Sequence, residues 1–316
     1  MFLLCYAALV LLPLPGEGFF ARLEVCDLLS GNRDPKFPRQ WDYFDSVDPT
    51  HGLAHYQSGE NATAKHLAFV NGTNMILAVD STTKLGSGKS RDSVRISSKK
   101  VYNAGRLFIP DFAAMPSSCG VWPAWWSVGP SWPNGGEIDV LECIHNGSTN
   151  TMTLHTSTGC NVDRNTQMTG KVLGTDCMSS NGNNQGCGVS DSDPTSYGAG
   201  FNNAGGGVYA HLWTNDANIW HFTRVNIPAD IIAQRPDPST WPTPTGSFSA
   251  GPGCDFAVHF QNHTLTVDTT ICGDWAESQA SIDSAGCGPK TSADLVADPK
   301  NFDLAKWNIS SIVVYK

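Results

Sequence analysis

The chain has 316 residues, enough for one large all-β domain or two ordinary ones, and 40% hydrophobic residues with 10% aromatics are ample for a folded core. The 31 glycines, 19 prolines and 16% charged residues fit a loop-rich β protein better than a helical one. A net charge of −9 argues against nucleic acid or an anionic membrane as partner and suits a neutral one.

Phe2 to Pro15 form an uncharged apolar run, followed by Gly16-Glu-Gly18. The run is too short for a comfortable membrane span and reads as the core of a signal peptide over residues 1–20, although no Lys or Arg precedes Arg22. Residues 21–316 are then expected to leave the cell as one domain, with no membrane association after leader removal. Asn61, Asn71, Asn146, Asn262 and Asn308 each open an Asn-x-Ser/Thr sequon, which agrees with secretion; two or three occupied sites are expected. Ten cysteines point the same way, and loss of Cys5 with the leader leaves nine, so disulfides are expected with at least one cysteine unpaired unless it bonds a second chain. None of the cysteine or histidine spacings suits a metal, and no metal site is expected.

Leu67–Val70 and Met75–Val79 flank Asn71-Gly72, a tight-hairpin signal. Gly86-Ser-Gly-Lys-Ser90 imitates the end of a phosphate-binding loop, but the motif needs Gly where Thr83 stands and a helix afterwards, whereas Asp92–Ser97 alternates like a strand; it is read as a hairpin loop. Trp122, Trp125, Trp126 and Trp132 then crowd a short stretch, and about half are expected to be core anchors.

Gly135-Gly-Glu-Ile-Asp-Val-Leu-Glu142 follows, with three carboxylates within six residues. Ile138, Val140 and Leu141 are strand formers, and on a strand Glu137 and Asp139 share a face. Glu142 would face the other way unless one extra residue, a bulge near Val140-Leu141, returned it. Three acids on one face make sense in a cleft where paired carboxylates act on a glycosidic bond. In the next strand Met152 and Leu154 share one face, Thr153 and His155 the other.

Asn161–Gly207, rich in Gly, Asn, Ser and Thr, and Pro236–Gly253, with five prolines, read as long cleft-side loops pinned by disulfides. Phe256, Val258 and Phe260 alternate before an Asn262-His263 turn, with Leu265 and Val267 after it. Short helical turns are expected around Ser292–Ala297 and Asp303–Trp307, and Ile309–Tyr315 reads as a closing strand. The pattern is that of an antiparallel β-sandwich.

Cys119-Gly-Val-Trp-Pro-Ala-Trp-Trp-Ser-Val-Gly129, Trp132-Pro-Asn-Gly-Gly136 and the Glu-x-Asp-x-x-Glu run resemble glycoside hydrolase family 16, in particular the secreted fungal laminarinases, which are endo-β-1,3(4)-glucanases. Asp48-Pro-Thr-His-Gly52, Thr153-Leu-His-Thr156, Cys272-Gly-Asp-Trp275 and Trp307…Ile312-Val-Val-Tyr315 extend the resemblance from residue 41 to the end. It implies an all-β, concanavalin-like jelly roll of two antiparallel sheets with a concave cleft, forming one catalytic domain over 21–316. It also implies a retaining double displacement on β-glucan, with Glu137 as nucleophile, Glu142 as general acid and then base, and Asp139 tuning and orienting them. Trp125 and Trp132 would line the sugar subsites, with Trp122 and Trp126 as further candidates, and His155 would orient substrate or nucleophile. No cofactor is required, a structural calcium ion being the one the family sometimes carries, and a monomer is expected. A cell-wall transglycosylase and a non-hydrolytic glucan-recognition protein are the competing functions on the same fold; relatives of the latter kind lose the acids that this chain keeps.

Overall fold

The computed structural model describes residues 26–27, 40–180, 183–250 and 253–316. The signal-peptide reading and Cys5 lie outside them. The first strands are β1 (Cys26–Asp27), β2 (Trp41–Tyr43), β3 (Ala54–Tyr56), β4 (Ala68–Asn71), β5 (Asn74–Ala78), β6 (Arg91–Ser93) and β7 (Arg95–Ser98). Next come β8 (Arg106–Ala114), β9 (Val121–Val128), β10 (Glu137–Glu142), β11 (Thr151–His155), β12 (Lys171–Val172) and β13 (Cys187–Ser190). The last are β14 (Gly207–Trp213), β15 (Ala217–Thr223), β16 (Gly246–Phe248), β17 (Thr264–Ile271) and β18 (Lys306–Tyr315).

Two large antiparallel sheets result. One runs β12-β13-β11-β10-β9-β17-β7-β2, the other β16-β15-β14-β8-β18-β5-β4 with β1 on β18, and a small parallel pair joins β3 to β6. Trp125, Ile138, Leu141, Met152 and Leu154 of the first sheet pack against Phe108, Phe112, Tyr209, Trp213 and Trp307 of the second, forming the core. This is the expected jelly-roll sandwich. The first sheet's other face is free of that core and forms the floor of a cleft.

Asn71-Gly-Thr-Asn74 makes the expected hairpin, with Gly72 at φ +63 and Asn71 paired to Asn74. Ser292–Ala297 is helical and closed by a Thr291/Asp294 capping box. Three secondary-structure expectations are overturned. Phe256 and Phe260 lie four apart on a helical turn, not a strand: the Asp255 carboxylate caps Ala257 N–H, both rings are buried, and Val258 is 59% exposed. Asp303–Trp307 is not a helix; a 3-10 turn ends at Phe302 and β18 opens at Lys306, because Trp307 and Ile309 alternate into the core. Gly86–Ser90 is a surface loop but not a hairpin, since β6 pairs in parallel with β3.

The Asn161–Gly207 segment does border the cleft, though it carries β12, β13 and a helix at Gly198–Asn203. The proline-rich segment does not. Its Trp241 packs on Trp220 and Phe222 on the outer side of the second sheet, and Trp220 Nε1 donates to Pro242 O (2.7 Å). Disulfide Cys160–Cys254 ties the two segments together; Cys177–Cys187 folds the first back on itself and Cys119–Cys287 closes a third loop. Cys143 and Cys272 are free thiols among the described residues, in keeping with the expected unpaired cysteine.

Candidate active site

Alternation along β9 decides which tryptophans see the cleft. Trp122, Ala124, Trp126 and Val128 line it, while Trp125, of opposite parity, is 1% exposed in the core. Trp125 is therefore not a subsite residue, and Trp122 and Trp126 are the cleft tryptophans of this strand. Trp132 stands at the rim, 40% exposed. Trp275, from the Cys272-Gly-Asp-Trp turn, lines the cleft edge-to-face with Trp122, ring centroids 5.6 Å apart.

The acidic strand carries the anticipated bulge. Asp139 pairs with Thr153 and Glu142 with Thr151, so two residues, Val140 and Leu141, oppose Met152 alone. Val140 and Leu141 stay buried in the core, and Glu137, Asp139 and Glu142 all line the cleft of about 880 Å3. The glycine pair before them is sterically required: Gly136 has φ +76, and a Cβ there would collide with the His259 carbonyl.

His155 faces the same cleft, as its alternation requires. Its Nε2 lies 3.3 Å from Asp139 Oδ2, its Nδ1 hydrogen-bonds Ser179 Oγ (2.8 Å), and it leaves Met152 and Leu154 to the core. Gly186, φ +60, lets the Asn184–Gly188 stretch pass over the imidazole, because a Cβ would come within 2.8 Å of His155 Nδ1. Glu137, Asp139 and His155 bring one ligand atom each within 4.8 Å of one another. With an imidazole in it, the cluster lacks the all-oxygen donor set that calcium takes.

Burial drives the acids' pKa values. Glu142 is pushed up to about 8, first by burial and then by the Asp139 charge, against the pull of a Trp122 Nε1 hydrogen bond (2.7 Å) to Oε1. Burial also raises Glu137 and Asp139 well above the carboxylate range, and each is opposed in losing its proton by a neighbouring acid. Linked by a hydrogen bond, the two titrate as a pair. The His155 and Arg95 charges work against that rise at Glu137 and favour its anionic form within the pair.

Sequence reading had not singled out Arg95, Asp268, Asn150 or Ser179. Asp268 lies on β17 opposite Ala124, which in turn pairs with Glu142, so a fourth carboxyl shares the floor. Burial lifts it to about 7 despite the Arg95 guanidinium 3.7 Å away, which itself sits 4.8 Å from the centre of the Trp126 ring. Alternation in Leu265, Val267 and Thr269 could have flagged Asp268; nothing local signals Asn150.

Of the sequon asparagines, Asn61, Asn71, Asn146 and Asn262 are exposed, Asn61 on a short helix (Gly59–Ala64) and Asn71 at the hairpin. Asn308 is half-buried within β18 and accepts from Asn74 Nδ2 (2.7 Å).

Residues 41–315 match the family described as XgeA-like, catalytic GH16 domain. The chain belongs to glycoside hydrolase family 16. A laminarinase 16A from Phanerochaete chrysosporium, solved with two β-glucans in its donor and acceptor sites, superposes with a TM-score of 0.84 at 38% identity, over 88% of this chain and 95% of that one. An elongating family 16 β-1,3-glucosyltransferase is as similar, at TM-score 0.83 and 38% identity, over 91% and 98%. A probable glycosidase of Schizosaccharomyces pombe is 40% identical over 87% of this family 16 chain, which spans 66% of it. A probable endo-1,3(4)-β-glucanase of Aspergillus clavatus is 40% identical over 89%, of which the chain spans 45%.

The two rim and core tryptophans give a clean contrast. Trp125→Ala is expected to lower unfolding free energy by about 3–5 kcal/mol in denaturant titration. Trp132→Ala should leave stability nearly unchanged and weaken binding of β-1,3-gluco-oligosaccharides, read by calorimetry. Equal stability losses would put Trp132 in the core as well.

Proposed function

We propose that this chain is a secreted, endo-acting, retaining glucanase that cleaves β-1,3-linked and mixed β-1,3-1,4-linked glucans. The observation that carries this reading is the bulge, which brings Glu137 and Glu142 onto one cleft face. The two differ in environment: Glu142 is held neutral beside an indole, and Glu137 sits in a proton-sharing pair. Glu137 attacks the anomeric carbon while Glu142 protonates the departing oxygen, and a glucosyl ester forms. Glu142, now a base, takes a proton from water, which displaces Glu137. Retaining enzymes of this kind hold their two carboxyls about 5–5.5 Å apart, too close for a water to replace the nucleophile in the first step, and the two successive inversions retain the configuration. The cycle needs no metal or cofactor, and the enzyme works as a monomer. An open cleft with Trp132 at its rim and the Trp122/Trp275 pair lining it supports binding within a polymer chain. The disulfides and the fungal relatives support an extracellular location, with N-glycans on exposed sequons.

Transfer to sugar is a branch of the same intermediate, and the likeness to an elongating glucosyltransferase favours measuring it. The test is digestion of laminarin, lichenan, xylan and agarose with product sizing and proton NMR of the new reducing ends. Laminarin and lichenan should yield mid-sized oligosaccharides with the β-anomer appearing before mutarotation. Products longer than the substrate would assign the transferase branch. Cleavage of neither glucan, or the α-anomer first, would refute the proposal.

A further inference from the structure

A bulge leaves backbone groups without ladder partners, and here those groups belong to the strand that carries the acids. Asp139 pairs with Trp126 and Leu141 with Trp125 on β9, so Val140 is the extra residue. The Val140 carbonyl and the Glu142 N–H flank the slip. Both are taken by one side chain: Asn150 Nδ2 donates to Val140 O (2.8 Å), and Asn150 Oδ1 accepts from Glu142 N (2.7 Å). A primary amide offers the donor and acceptor of a peptide unit, so this side chain replaces the missing ladder partner. It is itself fixed. Asn150 is fully buried, its N–H donates to Ser196 Oγ (2.9 Å), and its carbonyl accepts from Asp191 N (2.9 Å).

We propose that Asn150 is a positioning residue for the general acid: its amide locks the bulge and so aims Glu142 into the cleft. This rests on the glucanase reading only for its activity arm. A carboxyl displaced by about 1 Å can cost on the order of 100-fold in rate. Asn150→Ala should therefore lower kcat on laminarin about 100-fold with KM little changed. An aryl β-glucoside with a good leaving group, assayed in azide, needs neither acid nor base, and should lose less than about 10-fold.

Asn150→Asp is the sharper variant because it keeps the shape. A protonated carboxyl supplies one acceptor and one O–H donor, whereas the carboxylate loses the donor. Its laminarin activity, divided by that of the unaltered protein, should fall as pH rises, a dependence that a merely structural role would not produce. Hydrogen exchange supplies an arm that needs no activity: the Glu142 amide, protected in the unaltered protein, should exchange at least about 10-fold faster in Asn150→Ala and, at high pH, in Asn150→Asp. If the unaltered protein cuts no glucan, the glucanase reading fails while the exchange result still decides the bulge lock. Unchanged Glu142 exchange, equal losses on both substrates, or a pH-independent activity ratio for Asn150→Asp would overturn the proposal.

Discussion

Glu137→Ala should lower laminarin turnover by about 10⁴- to 10⁶-fold, the largest effect expected of any single change in this protein. The loss follows from removing the atom that would bond to the anomeric carbon. Glu137→Gln should be nearly as inactive, because it keeps shape and hydrogen bonds but not nucleophilicity. Neither variant should unfold: Glu137 is at the cleft end of β10, outside the packed core, and its charge is opposed by burial and by Asp139. Azide reports the role through stereochemistry. In Glu137→Ala it should enter from the vacated side of a β-glycoside with a good leaving group and release an α-glycosyl azide. Recovery of a β-glycosyl azide, or turnover within about 10-fold of the unaltered protein, would remove Glu137 from the nucleophile's place.

The parity of Met152 through His155 placed the imidazole correctly, and the odd spacing of Glu142 demanded a bulge that is present. Trp125 was assigned to the cleft from resemblance, although it stands at odd parity to Trp122 and Trp126; on β9, alternation prevails. Phe256, Val258 and Phe260 show the reverse failure: an i, i+2, i+4 run also contains an i, i+4 pair, and a local Asp255 cap tipped it to helix. Arg95 and Asn150 leave no local trace: Arg95 meets Asp268 through cross-strand register between positions more than a hundred residues apart, and Asn150 acts on a bulge that exists only once β10 has paired with its neighbours. The Pro236–Gly253 segment was recognised as a long loop, but which sheet face it covers depends on Trp241 meeting Trp220 and Phe222.

Glu142→Ala is expected to cost about 10²- to 10⁴-fold on laminarin, with a far smaller loss in bond cleavage for aryl glycosides whose leaving groups need no proton. Azide should here attack the glycosyl ester and release the β-glycosyl azide, the opposite anomer to that from Glu137→Ala. The pH dependence follows from burial. With its pKa raised from 4.5 to about 8, Glu142 is protonated at neutral pH and able to act as acid, so kcat/KM should fall as pH rises through about 8, and that limb should vanish in Glu142→Ala assayed on activated substrates. Stability moves in the same direction. Below about 4.5 the carboxyl is neutral in both folded and unfolded chains; between 4.5 and about 8 only the folded protein holds the proton, so stability falls with rising pH across that window. Glu142→Gln carries no such proton and should melt at a higher temperature than the unaltered protein at pH 8, with little difference at pH 4. A melting-temperature difference that is flat across this range would mean that Glu142 is ionised in the folded protein at neutral pH, and the acid would then have to be sought among Asp139 and Asp268.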